Sequence, residues 1–350
     1  MKTILRYFKH HAKDSLIRLA IITFICLVIV TLVTNGVNET YIRQTERSLE
    51  LTQYGYYESD WALDPQLGYF VAISVILTTL LPMLELSCFN NRRYLDSAFS
   101  FPISRISLIS VNLINGFLQF LIAYTVSFIW YAITLLPCVS KISYPALWSF
   151  FFISLLCSLF YYSVNAFFFS ICNSSVDGFL TASAWQFILC PLLLTLDDMF
   201  NQHITEESVL TILWMPLVYT CNYFTRVSKG YEATPDFEPN NPYAMLIYLI
   251  VIPILTALFV AGTLYFFNKR RAESAGEISR TAFSYATLIP VCVAMLIYWA
   301  LNAEATIISL FALIFSTVGY IIYRRSVKLK IFDIIVIAAC FVCFVMGLIA

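Results

Sequence analysis

Charge is scarce in this 350-residue sequence: Asp, Glu, Lys and Arg make up 12% of it, about half the share of a soluble domain. That scarcity excludes an ordinary soluble fold. The balance of 21 basic against 21 acidic side chains excludes a strongly polybasic nucleic-acid binder. Histidine is rarer still, with 3 in the chain. His10 and His11 belong to a basic amino-terminal stretch and His203 to a polar one, so no His-based metal site or proton relay is expected inside the apolar runs. Glu206 and Glu207 form an acidic pair without His partners, and no catalytic constellation emerges. The 10 cysteines lie mostly within apolar runs and show no metal-ligand spacing; Cys340 and Cys343 read as small apolar fillers, and a Cys138–Cys221 disulfide stays open. No G-x-x-x-x-G-K-[ST] run occurs, so the chain lacks the loop that cradles ATP phosphates. It is not expected to be an enzyme, nor to bind a cofactor or metal itself.

Apolar residues are what the sequence has in abundance: 60% hydrophobic and 17% aromatic. A spanning helix needs about 20 mostly apolar residues to cross roughly 30 Å of hydrocarbon. About nine stretches qualify, near 16–35, 68–87, 108–136, 147–172, 179–195, 243–267, 283–301, 305–323 and 331–349. They are too long and too evenly apolar for barrel strands. The expected fold is therefore all-α, a polytopic membrane helical bundle. The first run is too long for a signal peptide and no small-residue cleavage pattern follows it, so it reads as a span.

Charge sidedness sets the expected topology. With a cytoplasmic amino terminus and nine spans, the inner side receives Lys2, Arg6, Lys9, Lys13 and Arg18, then Arg92, Arg93 and Arg105. It also receives Lys269, Arg270, Arg271 and Arg280, and Arg324, Arg325, Lys328 and Lys330. Most of the 21 basic residues thus face inward, as the positive-inside rule demands. The acids fall mainly outside: Glu39 to Asp64 in a long first loop (36–67), Asp197 to Glu238 in a third, and Glu304. The carboxyl terminus then lies outside too. A further apolar stretch, 209–224, carries Pro216 and would reverse the parity if it spanned, so it reads as a re-entrant or interfacial segment on the outer side.

Ion-coupled transport is disfavoured, because it calls for ionisable groups near the membrane midplane. Glu85 and Asp333 sit within a few residues of an inner span end, Asp197 and Asp198 at an outer one. Polar amides do occur within the spans. Asn112, Asn115 and Gln119, spaced by three and four, share one helix face, and Asn165 and Gln186 add two more. Either they hold the bundle together or they line a substrate path.

Two elements belong to the inner surface. Residues 2–13 form an amphipathic helix: Ile4, Leu5, Phe8 and Ala12 fall within about a 100° arc, with Lys2, Arg6, Lys9 and Lys13 opposite. Such a helix lies in the membrane interface, as a simple anchor or as a contact for a cytoplasmic partner. The second element is the segment from Asn90 to Arg105. Pro102 disfavours helix at Phe101 and is welcome in a first helical turn, so a short surface helix, a bend and a new helix start are expected.

In this second element, Arg92-Arg93-Tyr94-Leu95-Asp96-Ser97 followed by Ser100-Phe101-Pro102-Ile103-Ser104-Arg105 resembles the coupling-helix region of bacterial ABC-2 type permeases, where an S-x-P-[IL]-[ST]-R run precedes the third span. Arg270-Arg271-Ala272-Glu273-Ser274-Ala275-Gly276 is similar to the R-x-x-E-x-A-G run after the sixth span in Firmicute permeases associated with acetoin-utilisation and peptide-antibiotic-resistance operons. The resemblance implies a permease subunit of an ABC exporter in the bacterial cytoplasmic membrane. Its partners would be separate ABC ATPase subunits, which bind ATP and Mg, and a second permease chain, identical or related; no nucleic acid is involved. Residues 1–15 would be the interfacial helix, 16–282 a six-span core with coupling helix 88–106 and outer segment 196–242, and 283–350 three additional spans. Arg92, Arg93, Tyr94, Leu95 and Asp96 would contact the ATPase, and Pro102 and Arg105 would fix the entry to the third span. Arg270, Arg271, Glu273 and Gly276 would support the inner gate. The rival reading is a membrane sensor or scaffold whose acidic outer loops bind a ligand.

Overall fold

A computed structural model of the chain describes residues 2–53, 66–100, 102–185, 217, 220, 221, 224, 247–270, 285–302, 306–324 and 330–349. These are almost wholly helical, and no strand occurs among them. Among the described residues, five helices are long and apolar enough to cross a membrane: Leu16–Leu49, Gly68–Asn90, Arg105–Thr134, Tyr144–Ile171 and Leu249–Lys269. Three shorter apolar helices follow, Thr287–Tyr298, Ile307–Tyr323 and Ile331–Met346. Two compact units divide the chain.

The first unit comprises Met1–Leu86, Phe99–Ala166 and Met215–Asn268. Helix α1 (Lys2–Asp14) is the expected amphipathic helix, with Arg6, Lys9 and Lys13 exposed and Ile4, Phe8 and Ala12 half-buried. It ends at Ser15, whose hydroxyl donates to the Ala12 carbonyl at 2.9 Å. Helix α2 starts at once and runs from Leu16 to Gln53. Its 38 residues measure about 57 Å at 1.5 Å per residue, well beyond the hydrocarbon thickness. The long first outer loop expected from Gly36 onward is thus helical as far as Gln53. The reason is local: Gly36 alone costs only about 1 kcal/mol, no proline intervenes, and Glu39 and Arg43 form an i,i+4 pair at 3.7 Å. Cys26, Val30, Val33 and Val37 bury one stripe of α2. Ile17, Ile21, Phe24, Ile25, Val28 and Leu32 are exposed, which suits an apolar solvent such as lipid.

Helix α2 packs along α5 (Arg105–Thr134), where the Trp130 indole donates to Thr31 Oγ1 at 3.1 Å. Between them in sequence come α3 (Gly68–Ser87) and the short α4 (Arg92–Ser100). Helix α6 (Tyr144–Ile171) completes the core, whose centre is aromatic. Phe70 meets Tyr124, Phe128 and Tyr131 edge-on at centroid distances of 5.8, 5.3 and 5.0 Å, and Phe128 lies 4.8 Å from Phe151.

Pro82 interrupts α3, and the consequence is readable in α6. A proline has no N–H, so the carbonyl four residues back, Thr78, loses its helical donor. The Asn165 amide supplies the replacement, donating to the Thr78 carbonyl at 3.1 Å and to Thr79 Oγ1 at 3.2 Å. Replacing Asn165 by Ala is therefore expected to cost about 1 to 3 kcal/mol, the penalty of an unpaired buried carbonyl. Pro82→Ala should remove most of that cost, because the restored N–H reclaims the carbonyl; thermal midpoints of the two single variants and the double variant check the coupling.

Only four residues of the stretch 209–224 are described, and all are helical: Leu217, Thr220, Cys221 and Phe224. Their three- and four-residue spacing places them on one buried face. Thr220 Oγ1 lies 4.0 Å from the Cys157 thiol and Phe224 packs 6.1 Å from Phe150. These two residues thus reach the middle of α6. Cys138 and Cys221 are both free thiols, so the open disulfide is not formed. A short π turn, Ile247–Val251, leads into helix α8 (Ile252–Lys269).

The second unit comprises Ser87–Ala98, Phe167–Trp214 and Lys269–Ala350. Helix α7 is described over 175–185. Helices α9 (Tyr285–Asn302), α10 (Thr306–Arg324) and α11 (Ile331–Ile349) pack on one another around Ile289, Val293, Ala312, Tyr320 and Cys340. Asp333, deeply buried, accepts from the Lys330 backbone N–H at 3.0 Å, which closes the first turn of α11 like a capping box. Ser316 Oγ reaches the Cys340 sulfur at 3.6 Å, and both Cys340 and Cys343 are buried free thiols that fill space.

Candidate functional site

The most chemically loaded place in the first unit is a single carboxylate. Glu85 lies near the carboxyl-terminal end of α3 and its side chain is fully buried. A bare carboxylate there would be prohibitively costly, and four side chains from three helices share its charge. From α1, His11 Nε2 lies 2.6 Å from Oε2. From α2, the Arg18 guanidinium donates through Nη2 to Oε1. From α5, Asn115 Nδ2 and Gln119 Nε2 donate to the same oxygen at 3.1 and 2.9 Å. Gln119 also turns its carbonyl toward Arg18, accepting from Nε at 3.0 Å, so the amide bridges cation and anion. Asn115 additionally donates to Ser15 Oγ at 3.2 Å, at the α1–α2 joint.

Close approach is possible because position 116 carries no side chain. A Cβ on Gly116 would fall 2.9 Å from Glu85 Cγ and 2.4 Å from the Tyr162 hydroxyl, which donates to the Leu113 carbonyl at 2.9 Å. Gly116→Ala must therefore push α3 or α6 away from α5. A loss of about 1 to 3 kcal/mol is expected, as for other overpacked cores, readable as a lowered thermal midpoint in detergent.

Asn112, Asn115, Gln119 and Asn165 are all buried inside the first unit. Asn112 lies one turn below the carboxylate cluster and donates to its own helix at Leu108, 3.1 Å away. Gln186 lies outside the described residues. The cluster's other half was not visible in the pattern. The sequence places His11 on a surface helix and Arg18 among the basic residues at a span end, yet both point to Glu85. A signal existed: an acid at the end of an apolar run, an arginine just inside another, and an amide stripe facing both.

In the segment from Asn90 to Arg105, the expected helix, bend and restart are present. A 3-10 turn, Cys88–Asn90, precedes α4. In α4, Arg92, Arg93, Tyr94 and Asp96 are exposed while Leu95 and Ala98 are buried. Tyr94 packs edge-on against Phe89 at 5.9 Å. Pro102 sits in the bend, not in a first helical turn, because the cap falls two residues later: Ser104 accepts from the Ser107 N–H at 3.2 Å and α5 starts at Arg105. Arg105 ties this corner to the end of α8. Its guanidinium carbon stands 4.1 Å over the Phe99 ring, Phe99 meets Phe267 at 6.4 Å, and Nη1 donates to the Asn268 carbonyl at 3.4 Å.

In the second unit, Arg270 is buried and donates to Asn90 Oδ1 at 2.6 Å; Asn90 in turn donates to Ser175 Oγ at 3.1 Å. Burial pushes the guanidinium down to about 10, opposed by the nearby Cys172 and Cys88, so it stays a cation at neutral pH. Arg271, Glu273 and Gly276 lie outside the described residues. Among the described residues no group of three or more metal-ligating side chains converges. No family model matches the chain, and neither a curated protein nor a solved structure does.

Proposed function

We propose that this chain is the membrane-spanning permease subunit of a bacterial ABC exporter of the ABC-2 type, with about nine spans, a cytoplasmic amino terminus and an extracellular carboxyl terminus. The observation that carries the reading is α4: a short helix after the second long apolar helix, exposing Arg92, Arg93, Tyr94 and Asp96. It is followed by a bend and a Ser-capped restart at the residues that resemble the family's S-x-P-[IL]-[ST]-R run. Surface helices of this build suit a groove in a soluble partner. Arg105 supports the reading further, since it fastens the restart to the end of α8 and gives the corner a rigid mount.

In this mechanism two permease chains enclose a path and two ATPase chains, holding ATP and Mg, bind beneath. Their closure on ATP moves the inner helix ends as rigid bodies and turns the path outward. Arg270, held by Asn90, would stiffen the inner side near the gate. Asn112, Asn115, Gln119 and Asn165 would face the path only when the packing opens, since each is buried.

The test is ATP-dependent movement in vesicles holding the chain and its ATPase, with a fluorescent lipid or an amphipathic peptide as the probe. An exporter moves at least one of these only with ATP; a sensor or scaffold moves none.

A further inference from the structure

We propose that Glu85 is a latch that fixes the joint between the amino-terminal surface helix and the first long helix, so that neutralising this one carboxylate lets α1 leave the bundle. The inference goes beyond the permease reading and does not depend on it.

The carboxylate straddles the joint. One oxygen, Oε2, holds His11 on α1; the other, Oε1, holds Arg18 on α2, seven residues later. Ser15, between them, breaks the helix. It keeps a backbone bond on each side, to the His11 carbonyl at 3.1 Å and from the Leu19 N–H at 2.9 Å, so the chain there is a hinge with helix on both flanks. Little else fastens α1 to α2; α1 packs mainly against α5. Its outer face carries Arg6, Lys9 and Lys13, which water and headgroups solvate equally well in a docked or an undocked helix. Among the described side chains, the polar contacts from α1 and the joint into the bundle run through one cluster: His11 to Glu85, and Ser15 to Asn115, which itself holds Glu85.

The two partners that flank the joint are both partly accessible, His11 at 23% and Arg18 at 28%, against 0% for the Glu85 side chain. The Tyr7 ring stacks on the His11 imidazole with centroids 6.0 Å apart and planes 3° from parallel, so the α1 side of the latch is a preformed surface. Gly116 gives the opposite side its fit. Loss of the carboxylate charge therefore weakens the polar hold on α1 and leaves it only its apolar packing on α5, while α2, with its buried Val30, Val33 and Val37 stripe, remains packed along α5.

The experiment uses the full chain in lipid nanodiscs with Ser15 replaced by Cys, a position only 6% exposed, and a water-soluble maleimide as the probe. In Glu85→Gln, labelling at position 15 is expected to accelerate by about tenfold or more over the Ser15→Cys parent, as for a locally opened segment. The native Cys157, buried on α6, should stay protected. Unchanged labelling at position 15 overturns the latch. So does equal acceleration at Cys157, because the bundle as a whole would then have loosened. If Glu85→Gln fails to insert, His11→Gln serves instead, since Arg18 still pairs the buried carboxylate; it too must accelerate labelling at position 15, and no change overturns the proposal.

Discussion

Arg18→Gln is expected to destabilise the first unit by about 3 kcal/mol, among the largest effects available to a single substitution in the described part of the chain. The variant strands a fully buried carboxylate whose main counter-charge is gone. The cost stays near the lower end for a broken buried pair because His11, Asn115 and Gln119 still reach Glu85. Glu85→Gln should cost less: the Arg18 side chain is 28% exposed and can carry its charge toward the surface. The double variant, Arg18→Gln with Glu85→Gln, should regain most of the loss, since two amides in place of two charges leave nothing uncompensated. Thermal or denaturant unfolding of the detergent-solubilised chain reads all three. Equal losses in both single variants with simple addition in the double would mean that packing, not charge pairing, governs the site.

The second large effect concerns α4. If the chain is a permease subunit as proposed, charge reversal at Arg92 or Asp96 is expected to abolish recovery of an ATPase with it, with the amount of inserted chain unchanged. Both side chains are exposed, whereas Leu95 and Ala98 hold α4 down, so the helix itself should survive. A buried neighbour supplies the control: Leu95→Ala should lower the yield of folded chain as well, because Leu95 is fully buried. Comparison of membrane-fraction yield with ATPase recovery separates the two. Retained recovery and transport in both charge-reversed variants would remove α4 as the docking element.

Much of the helix layout was legible because the apolar runs are long and punctuated. The expected run at 68–87 matches α3, the last at 331–349 matches α11, and the amphipathic start matches α1 within a residue or two. Helix ends were harder where charge, not helix propensity, drove the reading. The polar residues after Gly36 say that the chain has left the hydrocarbon, but they do not say that it has stopped being a helix. At Pro102 the family-like run pointed to the right corner, yet the cap fell on Ser104, since a hydroxyl that accepts from the Ser107 N–H outcompetes a proline start.

The amides show where one sequence stops short. Spacing put Asn112, Asn115 and Gln119 on one face, but a face says nothing about what it meets. Only the fold brings Asn115 and Gln119 to Glu85, and Asn165 to the carbonyl that Pro82 sets free. His11 and Arg18 are 74 and 67 residues from Glu85 in sequence, a separation that no local pattern bridges.

The most direct measurement is the composition of the complex that the tagged full chain forms in its own membranes, solubilised gently and weighed by native mass spectrometry. The permease reading predicts an ATP-hydrolysing subunit carrying a phosphate-binding loop, present at one copy per membrane-spanning chain and lost on Arg92 reversal. A chain recovered alone or only with itself, under conditions that preserve the membrane and the fold, would contradict it.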